Sequence, residues 1–349
     1  MNRITERKEI TALGEIRVFT LKNSTGAMVE LSSLGAGIRR ILVPDCSGRL
    51  DDVVLGYENS EAYCNDGHCA GKTVGRYANR IALGEFTLDG LRYSLPINNG
   101  PNHLHGGPEG LQNRIWDAEI DGDAVVFFDV LPDGHAGYPG NLHVKARFCW
   151  TDDNSLVISY EAMTDKATVV SLTNHTYFNL NGHDSGTALD HELQLNAARY
   201  LVANDTLVPT GELAAVGDTP MDFREYTAIG KRIDAEFPAL KVGKGYDACW
   251  AVDGYENGPE MKEVGCLRST RSHRKLTVSS DHPGVQFYSG NWISDTPPGK
   301  GGYRYSDYDC VAIECQEFPD SPNRPDFPSV TLRPGEVYKR NIIFSFSVE

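Results

Sequence analysis

Nowhere in the 349 residues do about 20 apolar residues run together, so no membrane-spanning helix is predicted. The first ten residues alternate charge with isolated apolar side chains and lack the apolar stretch of an export signal, which predicts a cytoplasmic chain. Basic charge is scarce as well: 33 Lys and Arg face 48 Asp and Glu, for a net charge of −15 with no basic run. Such a surface repels phosphate backbones and anionic lipid, so neither nucleic acid nor membrane is an expected partner. The eight cysteines (46, 64, 69, 149, 249, 266, 310 and 315) form no CxxC pair, which excludes the usual zinc and thiol-redox motifs and predicts reduced, mostly buried thiols. Period-3.6 apolar stripes longer than two turns are missing. The best helical candidates are short, Ser60 to Tyr63 and Ile233 to Phe237. Without a linker, a repeat or a low-complexity segment, residues 1–349 read as one domain.

What the chain does have is strand and turn chemistry. Phe86 and Leu88, then Leu91, Tyr93 and Leu95, alternate on either side of Asp89-Gly90, a two-residue turn that joins antiparallel strands. Further β-rich runs span 125–130, 146–150, 156–162, 169–180, 276–280, 285–288, 311–318 and 341–348, mostly bounded by Asp, Asn, Gly or Pro. With 35 Gly and 18 Pro for punctuation, the pattern predicts an all-β sandwich.

Two look-alike motifs fail on spacing. Gly71-Lys72-Thr73 ends like a phosphate loop, but position 66 is Asp where that motif needs Gly. His103 and His105 with Glu109 resemble a metal set, yet Pro101, Gly106, Gly107 and Pro108 indicate loop, and no metal is predicted.

Three polar islands inside apparent buried strand are more informative. Period two places Thr173, His175, Tyr177 and Asn179 on one face, polar with an aromatic, as a sugar would require. In 311–318, Val311, Ile313 and Cys315 face one way and leave Glu314 and Gln316 on the other. A mid-strand carboxylate is either solvated or held for work, and burial would raise its pKa toward that of a general base at neutrality. Gln286 supplies a neutral hydrogen-bonding group. Asn79-Arg80 and Asp247 add the fork donors and carboxylate that recognise neighbouring pyranose hydroxyls.

Taken in order, GRYANRI (75–81), NHLHGGPEG (102–110), TNHTYFNL (173–180), KGYD (244–247), PGVQFYSGNW (283–292), AIECQEFPDSPN (312–323) and LRPGE (332–336) resemble the galactose mutarotase (aldose 1-epimerase) family over essentially the whole chain. The resemblance implies a large single-domain β-sandwich, the galactose mutarotase-like supersandwich, and cofactor-independent interconversion of the α and β anomers of free hexoses. It implies His175 as general acid on the ring oxygen, Glu314 as general base on the anomeric hydroxyl, and His105 as an assisting group. Asn79, Arg80, His105, Tyr177, Asp247 and Gln286 would contact the sugar, as a monomer or homodimer. Two positions depart from the family pattern: Ala248 where many members have His, and His103 where a smaller or amide residue is frequent. Other readings of the same residues are a glycosidase using Asp247 and Glu314, a non-catalytic sugar-binding module, and an epimerase of a hexose 6-phosphate, which would want more cations than Arg80.

Overall fold

The computed structural model describes residues 3–349, and its regular secondary structure is mainly antiparallel strand. Five consecutive strands, Arg3–Thr11, Gly14–Lys22, Met28–Ser32, Gly37–Pro44 and Leu50–Asp52, form one sheet by simple succession. A nine-stranded sheet runs from Asp117–Asp121 through Ala124–Leu131, Leu142–Trp150, Ser155–Thr164, Tyr338–Val348, Arg274–Ser280, Lys262–Arg268 and Glu192–Leu195 to Thr227–Ala228. The C-terminal strand Tyr338–Val348 lies at its centre, so the last residues close the sheet. A six-stranded sheet orders Tyr177–Phe178, Val311–Gln316, Gly284–Tyr288, Asp247–Ala251, Arg199–Ala203 and Pro209–Ala215.

The sheets share one large apolar core. Phe127, Phe148 and Trp150 come from the nine-stranded sheet, and Trp250, Phe287 and Ile313 from the six-stranded one. Phe178 packs edge-on against Phe344 at 5.2 Å between centroids and ties the two sheets together. Period two then sets the other face of the six-stranded sheet: while Val285, Phe287, Ile313 and Cys315 go into the core, Gln286 and Glu314 sit opposite one another in the register on the far side.

The turn expected at Asp89-Gly90 is present, both residues having positive φ (50° and 79°), between Glu85–Leu88 and Leu91–Ser94. The helix expected over Ser60 to Tyr63 is Ser60–Cys64, with the Asn59 side chain accepting from the Ala62 N–H as its N-cap. The helix expected over Ile233 to Phe237 is displaced: Phe237 is the N-cap and the helix is Pro238–Gly243, because proline tolerates the first helical position. Residues 169–180 are not one strand. They break into Thr168–Val169, Thr173–Asn174 and Tyr177–Phe178, each paired with a different partner, so strict alternation fails there. All eight cysteines are free.

Candidate active site

A cavity of about 560 Å³ opens on the far face of the six-stranded sheet. All eight candidate residues, Asn79, Arg80, His105, His175, Tyr177, Asp247, Gln286 and Glu314, line it, although they come from six separate stretches of chain. Thr173 and Asn179, expected to share the face of His175, are used elsewhere. The Thr173 hydroxyl donates to the Cys315 carbonyl at 2.6 Å, and the Asn179 amide donates to the Gly186 and Asp309 carbonyls.

Glu314 sits in an interior strand of the sheet and is 2 % exposed. Its Oε1 lies 3.5 Å from His175 Nε2, and its Oε2 has no hydrogen-bond partner. Burial raises its pKa well above the usual carboxylate range. The neighbouring Asp247 charge adds to that rise and Arg80 opposes it. Burial acts on His175 in the opposite sense and lowers it to about 4.

The His175 backbone is clasped on both sides, its N–H donating to the Lys72 carbonyl and its carbonyl accepting from the Gly71 N–H, each at 2.9 Å. The Gly71-Lys72-Thr73 triplet is therefore a dock for His175. The Lys72 ammonium, which a phosphate loop would present to a ligand, is buried against the Tyr63 carbonyl at 2.8 Å.

His105 adopts φ 55°, which breaks the alternation with His103. The His103 ring turns away to the Pro96 carbonyl and the Tyr138 hydroxyl, and Glu109 lies near His135 instead. Neither joins His105, which instead stacks edge-on against His175 at 5.4 Å. The Asn79 N–H donates to His105 Nδ1, and the His105 N–H returns a bond to the Asn79 carbonyl, both at 3.1 Å. With Nδ1 accepting, the ring proton resides on Nε2, and burial keeps the ring neutral, so His105 presents a fixed N–H donor.

His105, His175 and Glu314 do bring ligand atoms within 4.8 Å of one another, close enough for a metal. The tautomer makes the set a poor fit. A metal-bound imidazole donates its second N–H outward, whereas the second nitrogen of His105 accepts from Asn79.

Gly106, next in the chain, has φ +73°, and a Cβ there would stand 2.0 Å from the Gly75 carbonyl oxygen. Gly106→Ala is expected to displace His105 and lower turnover while leaving the sheets folded. Steady-state kinetics alongside far-UV circular dichroism check this.

The other candidate side chains are held just as closely. Arg80 donates from Nε to the Asn99 side chain at 3.0 Å and approaches Asp247 at 3.7 Å; Gln286 donates to the other Asp247 oxygen at 2.5 Å. The Tyr177 hydroxyl is spent on the His68 carbonyl at 3.0 Å.

Several contributors escaped the sequence reading. The Tyr77 hydroxyl donates to the Phe318 carbonyl at 2.8 Å, and the Asp320 N–H to the Arg80 carbonyl at 2.8 Å, which lock the Asn79-Arg80 segment to the end of the Glu314 strand. Gln112 holds the His105 carbonyl, and Asp205, Thr206, Tyr288 and Trp292 add to the cavity wall. Most of these lie in loops, where no periodicity marks them, although Tyr77, Tyr288, Trp292 and Asp320 fall inside three of the motif stretches.

Fold and cavity together define an antiparallel β protein with a polar cavity that holds a buried carboxyl–imidazole pair. The family model for aldose 1-epimerase matches residues 17–345, and the chain belongs to that family. It is 40% identical over 335 residues to the galactose mutarotase of Bos taurus, covering 96% of this chain and 95% of that one. To the aldose 1-epimerase of Escherichia coli K12 it is 37% identical over 336 residues, 95% and 96% of the two chains. Among solved structures, galactose 1-epimerase from Lactobacillus acidophilus NCFM superposes with a TM-score of 0.86 at 30% identity, covering 100% of this chain and 99% of that one. The GalM/aldose epimerase homologue from C. elegans superposes with a TM-score of 0.85 at 29% identity, over 99% of each chain.

Proposed function

We propose that the chain interconverts the α and β anomers of free hexoses such as D-galactose and D-glucose, with Glu314 as general base, His175 as general acid and His105 as a neutral donor near the anomeric centre. The observation that carries this reading is the buried pair of Glu314 and His175, 3.5 Å apart at the wall of a polar cavity. That spacing suits two groups that flank the two oxygens of one anomeric carbon.

The pair holds one mobile proton. The reactive ring-closed form is the tautomer with Glu314 ionised and the proton on His175, the minor one, since burial favours the neutral pair. Glu314 takes the proton of the anomeric hydroxyl as His175 Nε2 gives its own to the ring oxygen. The bond from C1 to the ring oxygen breaks and the free aldehyde forms. Rotation about C1–C2 presents the other carbonyl face, and reclosure returns both protons. Opening thus converts a buried ion pair into a buried neutral pair, the form that burial favours at both groups. The desolvation that penalises the ion pair therefore favours the open-chain intermediate. Two proton transfers balance within the site, so no electron or hydride carrier is needed.

Among the described residues lining the cavity, Arg80 is the one lysine or arginine, which favours a neutral hexose over a hexose phosphate. Polarimetry of freshly dissolved α-D-galactose and α-D-glucose tests the reading: the enzyme speeds the decay and leaves the final rotation unchanged. An unchanged decay rate with both sugars overturns it.

Asp247 raises the Glu314 pKa, so neutralising it has a definite sign. Asp247→Asn is expected to move the alkaline limb of the kcat/KM profile to lower pH and to raise KM, as read from initial rates across pH.

A further inference from the structure

A second polar cavity, about 340 Å³, lies at the rear of the Glu314 strand, between Glu317 and Arg340 on one side and Ser329–Leu332 on the other. Glu317 is 1 % exposed and ion-paired with Arg340 in an unusual way: Nε and Nη2 both converge on Oε1, at 2.7 and 2.6 Å, rather than taking one oxygen each. Oε2 is left buried with no partner. Tyr338 lines the same cavity, and its hydroxyl accepts from the Leu172 N–H at 3.1 Å, with its own proton unspent among the described residues. One acceptor and one donor thus stand unfilled at the two groups. Each leaves one hydrogen-bonding position open to a polar group, and a hydroxyl can both give and take such a bond. Val170, Leu332 and Val337 supply apolar wall for the carbon face of a ring. Around the cavity Glu317 pairs with Arg340 and Lys339 with Glu161, while Glu336 accepts only a backbone N–H from Arg333 among the described residues, so no unpaired cation is offered to an anionic ligand.

We infer that this cavity is a second, non-catalytic binding site for a neutral polyhydroxylated ring, a pyranose or its glycoside. A volume near 340 Å³ far exceeds the roughly 30 Å³ share of one water. The site is also wired to the catalytic pair from behind. Glu317 follows Glu314 by three residues on the same segment. Tyr338 holds the backbone of Leu172, three residues before His175. An occupant there bears on both catalytic segments without touching the sugar being converted.

The test is titration of the full chain with methyl β-D-galactopyranoside, which has no free anomeric hydroxyl and is not turned over, followed by amide chemical shifts. The expected result is a set of shifts over residues 329–340 with its own saturation curve, separate from the shifts around His175 and Glu314. Ser329→Trp, an exposed position whose new side chain fills the cavity, abolishes that set and leaves the other. Glu317→Gln weakens the rear-site affinity by about tenfold or more, the share of one hydrogen bond to a charged group. Shifts confined to the catalytic cavity, or rear shifts that persist in Ser329→Trp, overturn the proposal. Loss of anomer interconversion alone leaves the rear-site shifts in place, so failure of the catalytic reading is seen separately.

Discussion

Glu314→Gln is expected to lower kcat for anomer interconversion by about 10²–10⁴-fold, the usual share of one general base, with little change in KM. Glutamine keeps the shape of the side chain but removes the carboxylate proposed to take the anomeric proton, so the lost interaction belongs to the transition state. The same substitution has an opposite effect on stability. A carboxyl whose folded pKa is raised binds more protons in the folded than in the unfolded chain between the two pKa values, so its contribution to stability falls as pH rises through that window. The unfolded value is about 4.3. At neutral pH the parent therefore bears the cost of a buried carboxyl that the variant does not. Thermal unfolding should give Glu314→Gln a Tm at or above the parent at pH 7, with the gap narrowing as pH falls toward 4. A variant that loses both activity and Tm at pH 7 contradicts this assignment.

His175→Asn is expected to cost kcat by a similar factor, about 10²–10⁴-fold, and to change the pH profile as well. In the parent, activity requires that the pair hold one proton. A second proton enters only at low pH, because burial lowers His175 to about 4, and the shared proton leaves only at high pH, because burial raises Glu314. These apparent values belong to the pair. The parent profile of kcat/KM should therefore be flat through neutrality, falling below about pH 4 and again on the alkaline side. In His175→Asn the residual rate, after subtraction of the uncatalysed decay, should lose both limbs and become flat with pH, since Glu314 alone no longer completes the transfer. An unchanged bell in the variant assigns the limbs to other groups.

Much of this site is legible in the order of residues. Glu314 and Gln286 announce themselves as polar positions within apolar alternation, and that logic holds because their strands are regular, with Val285, Phe287, Ile313 and Cys315 in the core. The logic fails for His175. Its segment is broken into two-residue strands, and the alternation that predicted Thr173 and Asn179 beside it has no sheet to enforce it. His105 is legible as a residue type but not in its tautomer, which depends on a backbone N–H from a distant segment. Tyr77 and Asp320 are not legible, because each acts through a contact with chain far away in sequence, such as the 241-residue separation of Tyr77 from Phe318, and Gln112 acts on His105 only seven residues away but from an irregular loop. Long-range closure of this kind leaves no local period to read.

The most direct test of the central claim, that Glu314 and His175 pass one proton as a unit, is a double-mutant cycle. Initial polarimetric rates with α-D-galactose at pH 7 are compared for the parent, Glu314→Gln, His175→Asn and the double variant. The account predicts that the double variant is about as slow as either single one, since each change alone disables the shared transfer. Losses that multiply in the double variant would contradict it, and so would a Glu314→Gln enzyme that retains the parent rate.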